Sequence, residues 1–179
     1  MPATEFGRAI VRILAVSGSL QARSSNARVL EAARRQAPEG VQVVLSTSVG
    51  EMPHFNPDCE ADGPMGGAVA EFRAELAAAD AVLIATPEYA HALPGSLKNA
   101  LDWIVGSGEF YGKRVAVISA APSPDRGINA REMLERTLRA QGAVVVSSAT
   151  IQVTHLESDG LGPATVAAVH AVLDSLIAR

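Results

Sequence analysis

The stretch Ala81-Val82-Leu83-Ile84-Ala85 is apolar at every position. A strand with one solvated face alternates apolar and polar residues, so five apolar residues in a row predict a strand covered on both faces. Strands covered on both faces belong to parallel sheets flanked by helices. Working outward, the same pattern recurs at Ile10–Val16 (IVRILAV), Val41–Leu45 (VQVVL), Val115–Ser119 (VAVIS) and Ala143–Val146 (AVVV).

Helical periodicity fills the intervals. Ser25–Gln36 is the first helix, with Gly40 beyond it as a stop signal. Gly67–Ala79 places Val69, Phe72, Leu76 and Ala79 on one face, and Ser96–Val105 repeats this with Leu97, Ala100, Leu101 and Ile104. Ala130–Gln141 ends at Gly142, and Ala164–Ala178 closes the chain. Strands alternating with helices predict a three-layer α/β sandwich. Right-handed crossovers then favour a five-stranded parallel sheet in the flavodoxin-like order 2-1-3-4-5.

The 179 residues suffice for one sizeable core, so residues 1–179 are expected to form a single domain. Hydrophobic residues make up 48% and charged residues 19%, a globular balance. A formal charge of −4 without a basic run, and only 4% aromatic residues, argue against a nucleic-acid partner. Cys59 is the one cysteine, which excludes an internal disulfide and a thiolate metal cluster and suits a reducing compartment. Met1–Ala9 carries Glu5 and Arg8 and has no apolar signal core. No apolar run reaches the roughly 20 residues needed to cross a bilayer. The expectation is a cytoplasmic protein without a membrane partner.

In open parallel sheets ligands bind outside the carboxyl ends of the strands, where the strand order reverses. Three loops qualify: Gly18–Ser24, Pro87–Gly95 and Ala120–Asn129. The first belongs to the segment Ser17-Gly18-Ser19-Leu20-Gln21-Ala22-Arg23-Ser24-Ser25-Asn26, which joins hydroxyls, amides and a guanidinium to a helix start. A helix N-terminus exposes unpaired N–H groups and the positive end of its dipole, so an anion settles there readily. The plainer alternative is serine capping of the helix. Neither Gly-x-x-x-x-Gly-Lys-Ser/Thr nor Gly-x-Gly-x-x-Gly follows the first strand, so the segment points to a monophosphate rather than a nucleoside triphosphate or a tightly bound dinucleotide.

The second loop, Thr86-Pro87-Glu88-Tyr89-Ala90-His91-Ala92-Leu93-Pro94-Gly95, is stiffened by two prolines, with Pro94 placed to open the next helix. Such a loop presents backbone groups at fixed points, and Tyr89 can border a planar ring.

These motifs resemble the NADPH-dependent FMN reductase family, which includes bacterial quinone, azo-dye and chromate reductases. Gly18-Ser19-Leu20 with Ser24 and Asn26 is similar to that family's Gly-Ser-Leu-Arg-x-x-Ser-x-Asn motif. Pro87-Glu88-Tyr89 with Pro94-Gly95-Ser96-Leu97-Lys98-Asn99-Ala100-Leu101-Asp102-Trp103 is similar to a second motif. Met52-Pro53-His54-Phe55-Asn56-Pro57-Asp58 is similar to a looser third, and the resemblance spans about residues 12–153.

The resemblance implies that Ser17, Ser19, Gln21, Arg23, Ser24, Ser25 and Asn26 hold the FMN phosphate. It implies that Pro87, Glu88, Tyr89, Ala90 and His91 line the isoalloxazine ring, and that the small residues Ser119, Ala120 and Ala121 lie against it. NADPH or NADH is the implied co-substrate, a small molecule the electron acceptor, and a homodimer or homotetramer the assembly. Three positions depart from the family pattern: Gln21 stands where arginine is usual, Ala90 where asparagine is usual, and Ala92 where serine is common. Arg23 can supply the charge missing at Gln21. Arg126, in the proline-bearing third loop, is a candidate contact for a nucleotide phosphate, with a solvated arginine as the alternative.

The remaining chemistry is sparse. His54, His91, His155 and His170 lack ligand spacing, so no metal site is expected. Gly-x-Ser-x-Gly is absent, which removes a nucleophile-elbow hydrolase. Lys98, Asn99 and Asp102 read as loop bracing or interface residues, Leu101 and Trp103 as packing, and Cys59 as incidental. Because a flavin carries its own redox chemistry, no catalytic side chain is named. Two alternatives stay open: a flavodoxin-type one-electron carrier that docks on proteins, and a relative that binds no flavin.

Overall fold

The computed structural model describes residues 10–61, 65–153 and 162–178. The segment 1–9 and His155 lie outside them. Chain order runs β1 (Val11–Ser17), α1 (Ser25–Arg35), β2 (Val41–Leu45), a 3-10 turn (Ser48–Glu51), α2 (Asp58–Ala61), α3 (Gly67–Ala77), β3 (Ala81–Ala85), α4 (Gly95–Asp102), β4 (Arg114–Ala121), α5 (Ile128–Ala140), β5 (Val144–Gln152) and α6 (Pro163–Ile177). The five strands form one sheet in the order β2-β1-β3-β4-β5, and every neighbouring pair is parallel. This is the expected α/β order.

Successive strand residues point to opposite faces, which turns the apolar runs into two cores. Leu14 and Val16, Val82 and Ile84, and Val115 and Val117 pack against Phe72 and Leu76 of α3, Leu97 and Leu101 of α4, and Leu134 and Leu138 of α5. The alternate residues Ile13 and Ala15, Leu83 and Ala85, and Ala116 and Ile118 pack against Val29 and Leu30 of α1 and Leu173 and Leu176 of α6. Each fully buried leucine in these layers contributes roughly 1.5–3 kcal/mol from transfer out of water. All five residues of β3 are buried, as AVLIA predicts.

β5 departs most from its expectation. It runs through Val144–Gln152 rather than ending at Val146, because Ser147-Ser148-Ala149-Thr150 continues the pairing with β4. The register shifts by one residue between Val115 and Ala116, so Val146 is skipped. An edge strand pairs on one side only, and this one is mostly half-exposed, so its polar residues carry little burial cost and little hydrophobic signal.

Helix ends are fixed by specific contacts. Lys113 Nζ donates to Leu76 O at 2.8 Å and Ala79 O at 2.6 Å, capping the C-terminus of α3. Burial holds the Lys113 ammonium pKa below the usual lysine value. Pro94 sits at the N-cap of α4, one residue ahead of the expected position.

The family-like segment around Pro53 is pinned from α4. Asn99 Nδ2 donates to Pro53 O at 2.8 Å, and Asn99 Oδ1 accepts from Phe55 N at 2.7 Å. Trp103, fully buried, donates its indole N–H to Pro53 O at 2.9 Å and meets Phe55 edge-on, with ring centroids 5.0 Å apart. Asn99 is therefore a brace and Trp103 a packing residue, while Lys98 pairs with Asp102 on the surface at 2.6 Å. No helix among the described residues is long and apolar enough to cross a membrane.

Candidate functional site

The loop after β1 is wound tightly on itself. Ser17 Oγ donates to Ser19 O at 3.0 Å and accepts from Ser19 N at 3.2 Å. Ser19 Oγ accepts from Gln21 N at 3.3 Å, and Ser24 N returns to Gln21 O at 3.0 Å. Ser17 and Ser19 thus shape the loop, and Ser19 is buried. Gly18 N donates to Ala85 O at 2.8 Å, and a Cβ at Gly18 would lie 3.0 Å from the Leu97 side chain and 3.3 Å from Pro87 Cδ. A side chain here would have to push Leu97 or Pro87 back by a few tenths of an ångström, so glycine suits the close approach of the first loop to the second.

Ser24 is the N-cap of α1: its backbone is extended and its Oγ accepts from Ala27 N at 3.1 Å. Arg28 N reaches Ser24 O at 3.1 Å. The two remaining first-turn donors, the N–H groups of Ser25 and Asn26, have no acceptor among the described residues. The Ser24 oxygen accepts in the cap while its own hydrogen remains available, so capping and anion binding coexist. Gln21 and Arg23 are exposed beside this helix end, and Ser25 is half-buried at its first position.

The Asn26 side chain is directed elsewhere. It is buried, and its Oδ1 accepts from Ala120 N at 2.9 Å, tying the start of α1 to the end of β4.

The second loop is a two-residue hairpin. Tyr89 N donates to Ala92 O at 3.1 Å, and Ala92 N returns to Tyr89 O at 3.0 Å. Ala90 and His91, at its tip, have φ of 49° and 61°. Left-handed backbone costs an alanine roughly 1–2 kcal/mol, whereas asparagine and glycine tolerate it. The Ala90 departure therefore bears on backbone strain as well as on a lost polar group. Tyr89 projects outward, 55% exposed.

Glu88 turns the other way. Its Oε2 accepts from Ala130 N at 3.1 Å and its Oε1 from Asn129 Nδ2 at 3.2 Å, both in the first turn of α5. His91 Nδ1 lies 3.4 Å from Glu88 Oε1 and 3.3 Å from Asn129 Nδ2. Burial alone would raise the Glu88 pKa; the hydrogen bonds from Ala130 and Asn129 and the nearby His91 outweigh it and hold the carboxyl below its usual range.

The third loop is shorter than the sequence indicates. Ala120 and Ala121 stay in β4, paired with Ile151 and Gln152, and α5 begins at Ile128, so residues 122–127 form the loop. Pro122, which has no N–H to donate, marks the end of pairing. Ser119 is buried beneath this loop, accepting from Arg131 Nη1 at 2.8 Å. Arg131 Nη1 also reaches Thr150 Oγ1 at 2.5 Å, and Thr150 Oγ1 donates to Pro124 O at 2.9 Å. Arg126 is exposed.

The three loops therefore meet at the carboxyl ends of β1, β3 and β4. The fold brings together the cap and open N–H groups of α1, the rigid hairpin and the small residues of β4. Five expected site residues are committed to bracing: Ser17, Ser19, Asn26, Glu88 and Ser119. Asn129, Arg131 and Thr150 were missed, because their partners are distant in sequence and their types signal only a solvated helix and an edge strand. His54 and His170 are exposed, and Cys59 is exposed on α2.

Residues 11–157 match the protein family described as NADPH-dependent FMN reductase. An NAD(P)H-dependent FMN reductase of Pseudomonas aeruginosa is 38% identical over 130 residues, which cover 72% of this chain and 69% of that protein. A quinone reductase of Pseudomonas putida is 35% identical over 134 residues, covering 72% and 70% respectively. Among solved structures, the flavoenzyme NAD(P)H:(acceptor) oxidoreductase FerB from Paracoccus denitrificans superposes with a TM-score of 0.73. That match covers 93% of this chain and 97% of the other at 24% identity, so it speaks to the fold alone.

Proposed function

This chain belongs to the NADPH-dependent FMN reductase family, and from that premise we propose that it works as a single-domain oxidoreductase passing electrons from NADPH or NADH through FMN to a small acceptor. Quinones, azo compounds, chromate and free flavin are the acceptor classes. The observation that carries the reading is the first turn of α1. There the open N–H groups of Ser25 and Asn26, the Ser24 hydroxyl and exposed Arg23 and Gln21 stand together at the switch point of the sheet.

The donor set fits a phosphate monoester. Backbone N–H groups, hydroxyls and one guanidinium are neutral-to-positive, and the helix dipole adds to their attraction for an anion. In this reading Ser24, Ser25 and Arg23 hold the phosphate, with Gln21 beside them. Pro87, Tyr89, the tip residues Ala90 and His91 and the backbone of Glu88 border the ring from one side, and Ala120 and Ala121 from another. Ser17, Ser19, Asn26 and Ser119 set the loop shapes that make this possible. When bound, FMN supplies two-electron redox chemistry between the reduced nucleotide and the acceptor. The protein's part is to bind, orient and shield.

Assembly as a homodimer or homotetramer in the cytoplasm completes the proposal. The direct test is the visible spectrum of the purified protein followed by titration with FMN. A flavin spectrum, or saturable quenching of FMN fluorescence, supports the reading. A colourless protein that leaves added FMN fluorescent contradicts it.

A further inference from the structure

α5 starts without a side-chain cap of its own. Its N-cap is Gly127, at φ 83°, and a Cβ there would collide with Ser119 Oγ, so no capping side chain fits. The carboxylate comes from the second loop instead: Glu88, whose side chain is 19% exposed, takes the N–H of Ala130 and the amide of Asn129. A carboxylate at a helix N-terminus satisfies open donors and complements the dipole.

The next residue along the helix holds the other loop. Arg131 donates to Ser119 Oγ and Thr150 Oγ1, and these hydroxyls donate onward to backbone carbonyls of the third loop. The single Thr150 hydroxyl hydrogen has Pro124 O at 2.9 Å and Arg126 O at 3.3 Å as alternative acceptors, while Ser119 Oγ lies 3.5 Å from Arg126 O. Adjacent residues of one helical turn thus bind the hairpin on one side and residues 122–127 on the other.

We propose that Glu88 is a positioning residue that couples the two loops through the first turn of α5 and so fixes the slot between them. The consequence for FMN rests on the function proposed above; the coupling itself does not. Removing the carboxylate frees the N–H of Ala130, loosens the turn and lets both loops move together.

The test is hydrogen exchange on the protein without flavin, comparing wild type with Glu88→Ala, Glu88→Gln and Leu138→Ala. Glu88→Ala is expected to speed exchange of segments 86–92 and 122–127 together, by about tenfold. Glu88→Gln, which keeps one carbonyl acceptor and serves if the alanine variant does not fold, should show a smaller effect of the same pattern. Leu138→Ala removes core packing from α5 and should lower the melting temperature without singling out the loops. Faster exchange confined to the first turn of α5, with 122–127 at wild-type rates, would overturn the coupling.

Titration with FMN is the second reading. Glu88→Ala should bind about tenfold more weakly than wild type, a difference of about 1.4 kcal/mol. Equal affinity would overturn the claim that the slot depends on Glu88. A wild-type protein that binds no FMN would contradict the proposed function, leaving the exchange result to decide the coupling.

Discussion

Asn26 Oδ1 accepts a hydrogen bond from the N–H of Ala120 at 2.9 Å, joining the start of α1 to the end of β4 across 94 residues. The asparagine is buried, so its side chain ties α1 to β4 from inside. Replacing it with alanine leaves the half-buried Ala120 N–H without this partner, at a cost of about 1 kcal/mol. The expected outcome for Asn26→Ala is a lower urea midpoint with an unchanged m-value. A midpoint equal to wild type would show that Ala120 finds another acceptor.

Ser24→Asp separates capping from anion binding. Aspartate is as good an N-cap as serine, so thermal stability should be retained. The carboxylate would face the proposed phosphate, and like charges repel, so FMN affinity should fall by at least about tenfold, roughly 1.4 kcal/mol. Fluorescence titration checks this, and unchanged affinity would place the phosphate elsewhere.

The hairpin tip offers a stabilising change. Ala90 has φ 49°, a conformation that asparagine and glycine adopt more readily. Ala90→Asn should raise stability by roughly 0.5–1 kcal/mol, read from chemical denaturation. A loss of stability would contradict the left-handed turn.

Acid should weaken the Glu88 cap with a definite sign. The folded-state pKa of Glu88 lies below its ordinary value of 4.5. Its contribution is therefore fully present above the unfolded value and is lost as pH falls through the folded one. The stability gap between wild type and Glu88→Gln should shrink as pH falls below about 4.5. Urea titrations from pH 7 downward measure that gap, and a gap independent of pH would mean the carboxylate is not the capping group.

Much of the architecture was legible because buried parallel strands announce themselves. AVLIA at 81–85, with its counterparts in β1 and β4, carries residues for two cores in one run. The tail of β5 was not legible, since Ser147, Ser148 and Thr150 pair through their backbone while their side chains give no hydrophobic signal. The site was readable as far as the loops and the Ser24 helix start. Its internal bracing was not, because Glu88 meets Ala130 and Asn26 meets Ala120 only once the sheet has aligned the strand ends. Ala90 shows the same limit from another side. In sequence it is a missing amide; in the fold its burden is a backbone angle.

The most direct test of the central claim is steady-state oxidation of NADPH by the FMN-loaded protein with a quinone as acceptor, set against the same concentration of free FMN. The expected result is turnover that scales with protein, saturates in both NADPH and quinone, and falls in Ser24→Asp. Turnover no greater than that of free FMN would contradict the account and favour an electron carrier or a protein without flavin chemistry.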